Sequence, residues 1–246
     1  MTEKTARRTS VQTAIATVLF ITLFLSLVFS LWRFFTAPVM PIPNAPYRKI
    51  KSDYLLMSMQ CASGLIVMML PTFINRRWKL VVPDVMCVLY YVFLYFAVFL
   101  GEIFSFYYKI PYWDVFLHAM SGAMLGALGF ILIDWLNTDP HVRLSASPLF
   151  ISLFAFSFAL SIGALWEIYE FSFDTVFGLN MQKFRAESGE IMVGREALLD
   201  TMKDLITDAA SAFTVATVGF IKNHTKKKHR EKNDEGRTKY EPGSKT

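Results

Sequence analysis

Three aspartates recur at every fourth position in the segment DTMKDLITDAASAF, residues 200–213. Because each residue of a helix advances about 100°, Asp200, Asp204 and Asp208 share one helix face. The sequence that follows, TVATVGFI, is typical of a membrane span. At 1.5 Å per residue, Asp208 would lie about 12 Å deeper than Asp200. The pattern therefore predicts carboxylates inside the membrane.

Other carboxylates and a histidine stand at the ends of neighbouring apolar segments. Asp114 and His118 are four residues apart in YWDVFLHAMSG, so they share a helix face. A second group occurs in WEIYEFSFD and consists of Glu167, Glu170 and Asp174. Glu102 stands at the end of another apolar segment. If the apolar segments cross a membrane in turn, all of these groups fall in the same leaflet.

The negative charge of such a cluster must be compensated. A charged Asp at the centre of a span costs about 2.5–3.5 kcal/mol, so the carboxylates must face one another around a polar interior. Bound divalent cations, protons or basic partners would offset their repulsion. Candidate basic partners are Lys109, Arg185, Arg195 and Lys203.

One hypothesis is a divalent-metal-dependent enzyme that acts on a lipid or lipid-phosphate headgroup from an outward-facing pocket. Oxygen ligands with one imidazole suit Mg²⁺, Mn²⁺ or Zn²⁺, and a bound metal would activate water or hold a phosphate. The candidate ligands are Asp114, His118, Glu167, Glu170, Asp204 and Asp208. Glu102 is the candidate general base, and Asp174 and Asp200 are further pocket carboxylates.

Two alternatives stay open: a proton- or cation-coupled transporter, and a membrane assembly or scaffold protein. A row of carboxylates with a histidine is a plausible proton or cation relay. Against a transporter, no internal repeat is visible, and the acidic residues stop at one leaflet. Asp114 and Asp200 have a simpler interpretation as helix N-caps.

Composition indicates the elements that must position these residues. The chain has 246 residues, of which 54% are hydrophobic and 18% charged, against about 25% charged in soluble domains. Apolar segments near the ~20 residues needed to cross a bilayer occur six times, over 11–32, 55–74, 85–104, 115–136, 149–171 and about 200–221. The predicted fold class is therefore all-α, a polytopic helical membrane protein with about six transmembrane helices.

The predicted organisation is a cytoplasmic N-terminus (1–10), a single six-span membrane domain (11–221) and a basic, disordered cytoplasmic tail (222–246). Lys and Arg in the N-terminus, the 75–84 loop and the tail place these three regions on the cytoplasmic side. The 33–54 loop does not fit this assignment, because it also carries Lys and Arg although it lies on the predicted outer side. The tail is expected to contact anionic lipid headgroups, and no nucleic-acid-binding motif is present.

Three motifs taken together resemble the YjdF-like family of bacterial membrane proteins: GEIFSFYYKIPYWDVFLHAMSG, WEIYEFSFD and DTMKDLITDAASA. The resemblance extends from about residue 10 to 221. It implies a multi-pass protein of the bacterial plasma membrane and no established catalytic residues. Ser211 stands where the family usually has Gly, a small-for-small change.

Overall fold

The computed structural model describes residues 3–40, 48–137, 146–186 and 190–240. These residues form eight α-helices and one π-helical segment. The α-helices are α1 (Glu3–Thr36), α2 (Lys51–Val67), α3 (Leu70–Trp78), α4 (Asp84–Leu94), α5 (Phe106–Lys109), α6 (Trp113–Leu136), α7 (Pro148–Phe177) and α8 (Arg195–Tyr240). The π-helical segment, Tyr95–Ile103, continues α4 directly.

Six helical stretches are long and apolar enough to cross a membrane, so the predicted all-α, six-span architecture is confirmed. They cover Val11–Thr36, Lys51–Trp78, Asp84–Ile103, Trp113–Leu136, Pro148–Phe177 and Leu198–His229. The second stretch joins α2 and α3, and the third joins α4 to the π-helical segment.

The ends of α7 show how local sequence sets a span. Ser147 precedes the helix, and its side chain accepts a hydrogen bond from Phe150 N at 3.2 Å. Pro148 occupies the first helical position, where its missing N–H costs nothing. Gly178 ends the helix with φ +63°, a left-handed conformation that glycine adopts without strain.

The spans pack as two trios. In the first, α1, α2 and α4 enclose an apolar core that includes Leu19, Leu23 and Tyr91, with both cysteines buried as free thiols. The second trio, α6, α7 and α8, packs through small residues. A Cβ at Gly129 would lie 2.7 Å from Ala155 Cα, so the α6–α7 contact requires glycine there.

The third span departs from the α-helical geometry that the sequence predicts. Its second half is the π-helical segment, which contains Glu102 close to its end. Wider turns change the direction in which every later side chain points, and π-helical turns occur frequently at functional sites. Two left-handed residues follow, Ser105 (φ 62°) and Tyr112 (φ 61°). Such strain in residues other than glycine is concentrated at functional regions.

The seven residues after Gly178, 179–185, form a segment that we call the strap. The Asp174 carboxylate accepts hydrogen bonds from Met181 N at 2.7 Å and Gln182 N at 3.0 Å. Leu179 and Met181 are buried against Leu56 of α2. The strap therefore runs from the second trio onto the first.

The C-terminal helix extends further than the sequence predicts. The tail was expected to be disordered from residue 222, yet α8 continues to Tyr240. Lys, Arg and Glu are good helix formers, and an established span removes the cost of nucleating a new helix. Residues 241–246 lie outside the described part of the chain.

Candidate functional site

The side chain of His118 is the centre of the acidic cluster. Its Nε2 atom lies 3.8 Å from Asp114 Oδ1, 3.8 Å from Glu167 Oε1 and 3.9 Å from Asp204 Oδ1. Three helices supply these groups: α6 carries Asp114 and His118, α7 carries Glu167, and α8 carries Asp204. The helical spacings that the sequence suggested therefore bring four of the candidate ligands together.

Asp208 occupies a different position from the other carboxylates. Its Oδ2 atom lies 3.2 Å from His118 Nδ1, the opposite ring nitrogen, and its Oδ1 accepts a hydrogen bond from Ser121 Oγ at 3.3 Å. In the neutral tautomer of His118 that donates its Nδ1–H to this carboxylate, Nε2 carries a lone pair. Histidines that bind metals typically have such a carboxylate on their other nitrogen. Asp208 therefore orients the imidazole and is not placed as a direct ligand.

Glu167 supplies a second, independent indication of a ligand. Its Oε1 atom is buried and has no hydrogen-bond partner among the described residues. An unpaired buried carboxylate oxygen costs several kcal/mol unless a cation or donor satisfies it. This atom faces His118 Nε2, and ligand atoms of Asp114, His118 and Asp204 all lie within 4.8 Å of one another.

Two glycines let α8 approach closely enough to complete this arrangement. A methyl group on Gly163 of α7 would overlap the carboxylate of Asp208, and one on Gly122 of α6 would overlap Ser211 Oγ. A Cβ at Gly122 would also lie 2.9 Å from the backbone oxygen of Asp208. Small residues at helix contacts are a general feature of membrane proteins; here they also set the position of a polar side chain.

The remaining sequence-derived candidates lie around the cluster and not in it. Glu170 is half-buried and interacts electrostatically with Glu167 and Asp114. Asp200 is half-buried near Asp114, one turn before Asp204 on α8. Asp174 is engaged by the backbone of the strap, so its visible role is to anchor that loop.

Glu102 pairs with a residue that the sequence analysis did not select. Its Oε2 atom lies 2.8 Å from Lys183 Nζ in the strap, and the side chains are 6% and 12% exposed. Lys49 Nζ also donates to the backbone oxygen of Glu102 at 3.1 Å. Glu102, expected to be a general base, is therefore held in a buried ion pair.

Lys183 has an unusual environment. It adopts a left-handed conformation (φ 53°), and its ammonium lies 4.7 Å from the ring centre of Tyr107. Burial favours the neutral amine, but the carboxylates of Glu102 and Glu170 outweigh it and raise the pKa of Lys183 above its ordinary value. No periodic spacing links a strap residue to a site, which explains why the sequence did not reveal it.

Tyr107 interacts both with the Glu102–Lys183 pair and with the acidic cluster around His118. Its pKa is raised well above the usual value, first by burial and then by the carboxylates of Asp114, Glu170 and Glu102. The hydroxyl therefore stays neutral and can donate a hydrogen bond.

Of the basic partners suggested by sequence, Lys109 donates to the backbone oxygen of Phe104, and Arg185 pairs with Asp53. Arg195 and Lys203 are exposed.

We expect Gly163→Ala to weaken metal binding without changing any charge. The methyl group would displace Asp208 and so release His118 from its orienting hydrogen bond. Loss of such a partner typically lowers metal affinity about 10- to 100-fold. Gly126→Ala is the matched control, since its Cβ would meet Val215 at an ordinary 3.4 Å. Equal affinities of the two variants, measured by metal titration, would contradict the role given to Asp208.

Comparison with known proteins agrees with this architecture. No curated protein and no solved structure matches the chain. One family model, described as a predicted membrane protein family (DUF2238), matches residues 45–225, which include every candidate site residue and exclude α1. The match is consistent with the resemblance to YjdF-like proteins. The chain therefore belongs to the DUF2238 family of predicted membrane proteins.

Proposed function

We propose that the protein is a divalent-cation-dependent membrane enzyme whose metal binds between His118 Nε2 and the carboxylates of Asp114, Glu167 and Asp204. The observation that carries this proposal is the geometry around Nε2. Three carboxylate oxygens surround it at 3.8–3.9 Å, too far for hydrogen bonds, while Asp208 holds the other ring nitrogen.

The spacing suits a shared cation. Ligands at about 2.0–2.2 Å from one metal lie up to roughly 4.4 Å apart, and ligand atoms of Asp114, His118 and Asp204 already lie within 4.8 Å of one another. One imidazole with three carboxylates favours Mn²⁺ or Zn²⁺ over Mg²⁺, because imidazole suits zinc and carboxylates suit magnesium and manganese. Three carboxylates also more than offset the metal's two positive charges, so the metal does not lie in the membrane as an uncompensated cation.

The position of the site favours a lipid headgroup as substrate. His118 lies near the first residues of α6, and Asp204 near those of α8, so the cluster is close to one membrane surface. A metal there would polarise a phosphoryl oxygen and generate a nucleophilic water. Because Glu102 is paired with Lys183, we propose that Glu170, which lies on the same helix as Glu167, accepts the proton instead.

The experiment that tests this function is hydrolysis of a lipid phosphate ester. Purified protein in a phosphate-free detergent would be offered phosphatidic acid with Mn²⁺, Zn²⁺ or chelator. We expect metal-dependent phosphate release that Asp204→Asn abolishes. Asp134→Asn, at the exposed far end of α6, is the control and should retain activity. Release that is independent of metal, or equal in both variants, would contradict the proposal.

We further propose that the site faces the outside of the plasma membrane, as the distribution of Lys and Arg suggests. Val193→Cys, 75% exposed on the site side, should then react with a membrane-impermeant thiol reagent in intact cells. Val81→Cys, 70% exposed at the other end, should react only after permeabilisation. The native Cys61 and Cys87 are buried and give little background. The reverse labelling pattern would place the site in the cytoplasmic leaflet.

The basic end of α8 fits the same orientation. Its exposed residues include Lys222, Lys226 and Lys228, at the C-terminal end of the last helical stretch. We propose that they contact anionic lipid headgroups of the cytoplasmic leaflet, each contributing about 1 kcal/mol.

A further inference from the structure

We infer that Lys183, within the strap, is the residue that binds the phosphate group of the substrate beside the metal. The inference rests on the proposed function for its setting, but it concerns a residue that lies outside the metal site. The shared chemistry is a phosphate ester, whether carried on a lipid headgroup or on a soluble molecule.

The charge of the site creates the need for such a residue. If His118 binds the metal as a neutral imidazole, as metal ligation requires, the four surrounding carboxylates leave a formal charge of about −2 even with one divalent cation bound. A phosphate approaching this cluster would be repelled unless a cation stood beside it. Lys183 Nζ lies 2.8 Å from Glu102 Oε2 and 4.7 Å from the ring centre of Tyr107, and its charge also acts on Asp114 and Glu170.

The ammonium of Lys183 retains unused hydrogen-bonding capacity. A lysine carries three N–H donors, and Glu102 is the one acceptor within hydrogen-bond distance among the described residues. The other visible neighbours are the faces of two aromatic rings, those of Tyr107 and Tyr108, at 4.7 and 5.6 Å from the ring centres. A phosphate oxygen could therefore bind while the pair with Glu102 persists.

The strap fixes Lys183 on both sides, so its position does not depend on a flexible loop. Gln182 Nε2 donates to Thr201 Oγ1 at 2.9 Å, and its backbone N–H is held by Asp174. On the other side, Arg185 N donates to Asn180 Oδ1 at 2.9 Å. The left-handed backbone of Lys183 is maintained between these contacts, and strain of this kind is typical of residues that bind ligands.

Tyr107 completes the subsite. Its ring lies against Lys183 Nζ, and its neutral hydroxyl lies in the field of Asp114 and Asp204. The Tyr107 ring therefore borders the ammonium, while the charges of the cluster act on its hydroxyl. We expect the Tyr107 hydroxyl to donate a hydrogen bond to a phosphate held by Lys183.

The test is equilibrium dialysis of radiolabelled inorganic phosphate against the full chain in dodecyl maltoside, with and without Mn²⁺. We expect wild-type protein to bind phosphate and Lys183→Gln to bind it roughly 10- to 100-fold more weakly, as for loss of a charge-assisted hydrogen bond. Lys183→Arg should restore much of the binding. Arg185→Gln removes the same charge from the same strap and should bind phosphate like the wild type.

A second variant covers the case in which Lys183→Gln fails to fold because Glu102 is left unpaired. Glu102→Gln/Lys183→Gln removes both charges and keeps a neutral pair; it too should lose phosphate binding. Mn²⁺ binding to either variant should persist, since a nearby positive charge has been removed. Normal phosphate binding by the double variant, or no binding by wild type under either condition, would overturn the inference.

Failure of the inference and failure of the metal proposal are distinguishable. Mn²⁺ binding with unchanged phosphate binding in the Lys183 variants overturns the inference alone. Absence of Mn²⁺ binding with Lys183-dependent phosphate binding contradicts the metal site alone. Displacement of the label by phosphatidic acid in mixed micelles supports a lipid substrate, and displacement by glycerol phosphate only supports a soluble one.

Discussion

Asp204→Asn is expected to remove most of the bound Mn²⁺ or Zn²⁺ while the protein remains folded. The substitution keeps the size of the side chain and replaces a charged ligand with a neutral one. The loss of affinity should exceed the roughly 10- to 100-fold caused by removing only the hydrogen-bond partner of a ligand. Elemental analysis of the purified protein measures this loss of bound metal.

The same variant should respond differently to a chelator. Without metal, the wild-type site holds four carboxylates around one histidine, so removing a charge should raise the melting temperature. With metal at 100 times its Kd, the wild type gains about 2.7 kcal/mol, and Asp204→Asn gains little of this. Asp134→Asn should behave as wild type in both conditions. Equal metal content in all three proteins would refute the site.

The second large effect concerns the ion pair between Glu102 and Lys183. Replacing either residue alone, by Glu102→Gln or Lys183→Gln, leaves a buried charge without its partner and should cost about 3–5 kcal/mol of unfolding free energy. The double variant should recover most of that loss, because no unpaired charge remains. Thermal unfolding in detergent gives the comparison.

Arg185→Gln provides the matched control for this effect. Its pair with Asp53 is longer, at 3.4 Å, and the two side chains are 21% and 16% exposed. Water screens such a pair more strongly, so we expect a cost of about 1 kcal/mol or less. If the double Glu102/Lys183 variant is no more stable than the single ones, the two charges do not compensate each other as described.

Helical periodicity was sufficient to predict that these acidic side chains and His118 come together. The four-residue spacings of Asp114 with His118 and of Asp204 with Asp208 place each pair on one face, and the cost of burying charge requires these faces to meet. The structure brings them together around His118. Alternating spans also place them at the same end of the bundle.

Periodicity could not assign separate roles within that face. Asp204 and Asp208 lie on the same face of α8, one turn apart. Asp204 nevertheless faces Nε2 of His118, whereas Asp208 faces Nδ1. The difference depends on how deeply each helix sits against its neighbours, which Gly163 and Gly122 determine. Such contacts between helices are not encoded in the spacing along any one of them.

The surroundings of the site were less predictable because they depend on irregular backbone. Glu102 follows π-helical turns, so an α-helical projection does not give its direction. Its partner Lys183 comes from the strap, whose course is set by Asp174 and by burial of Leu179. The sequence placed Asp174 in the pocket because it continued the helical period, although the residue binds the loop backbone instead.

Pulsed electron paramagnetic resonance of the Mn²⁺-loaded protein tests the central claim most directly. The nuclear modulation of Mn²⁺ reports nitrogen atoms bonded to the ion. The account predicts one bound Mn²⁺ with the coupling of a single imidazole nitrogen, which is absent in His118→Gln and retained in Asp134→Asn. A protein that binds no Mn²⁺, or binds it without a nitrogen coupling that depends on His118, would contradict the metal site.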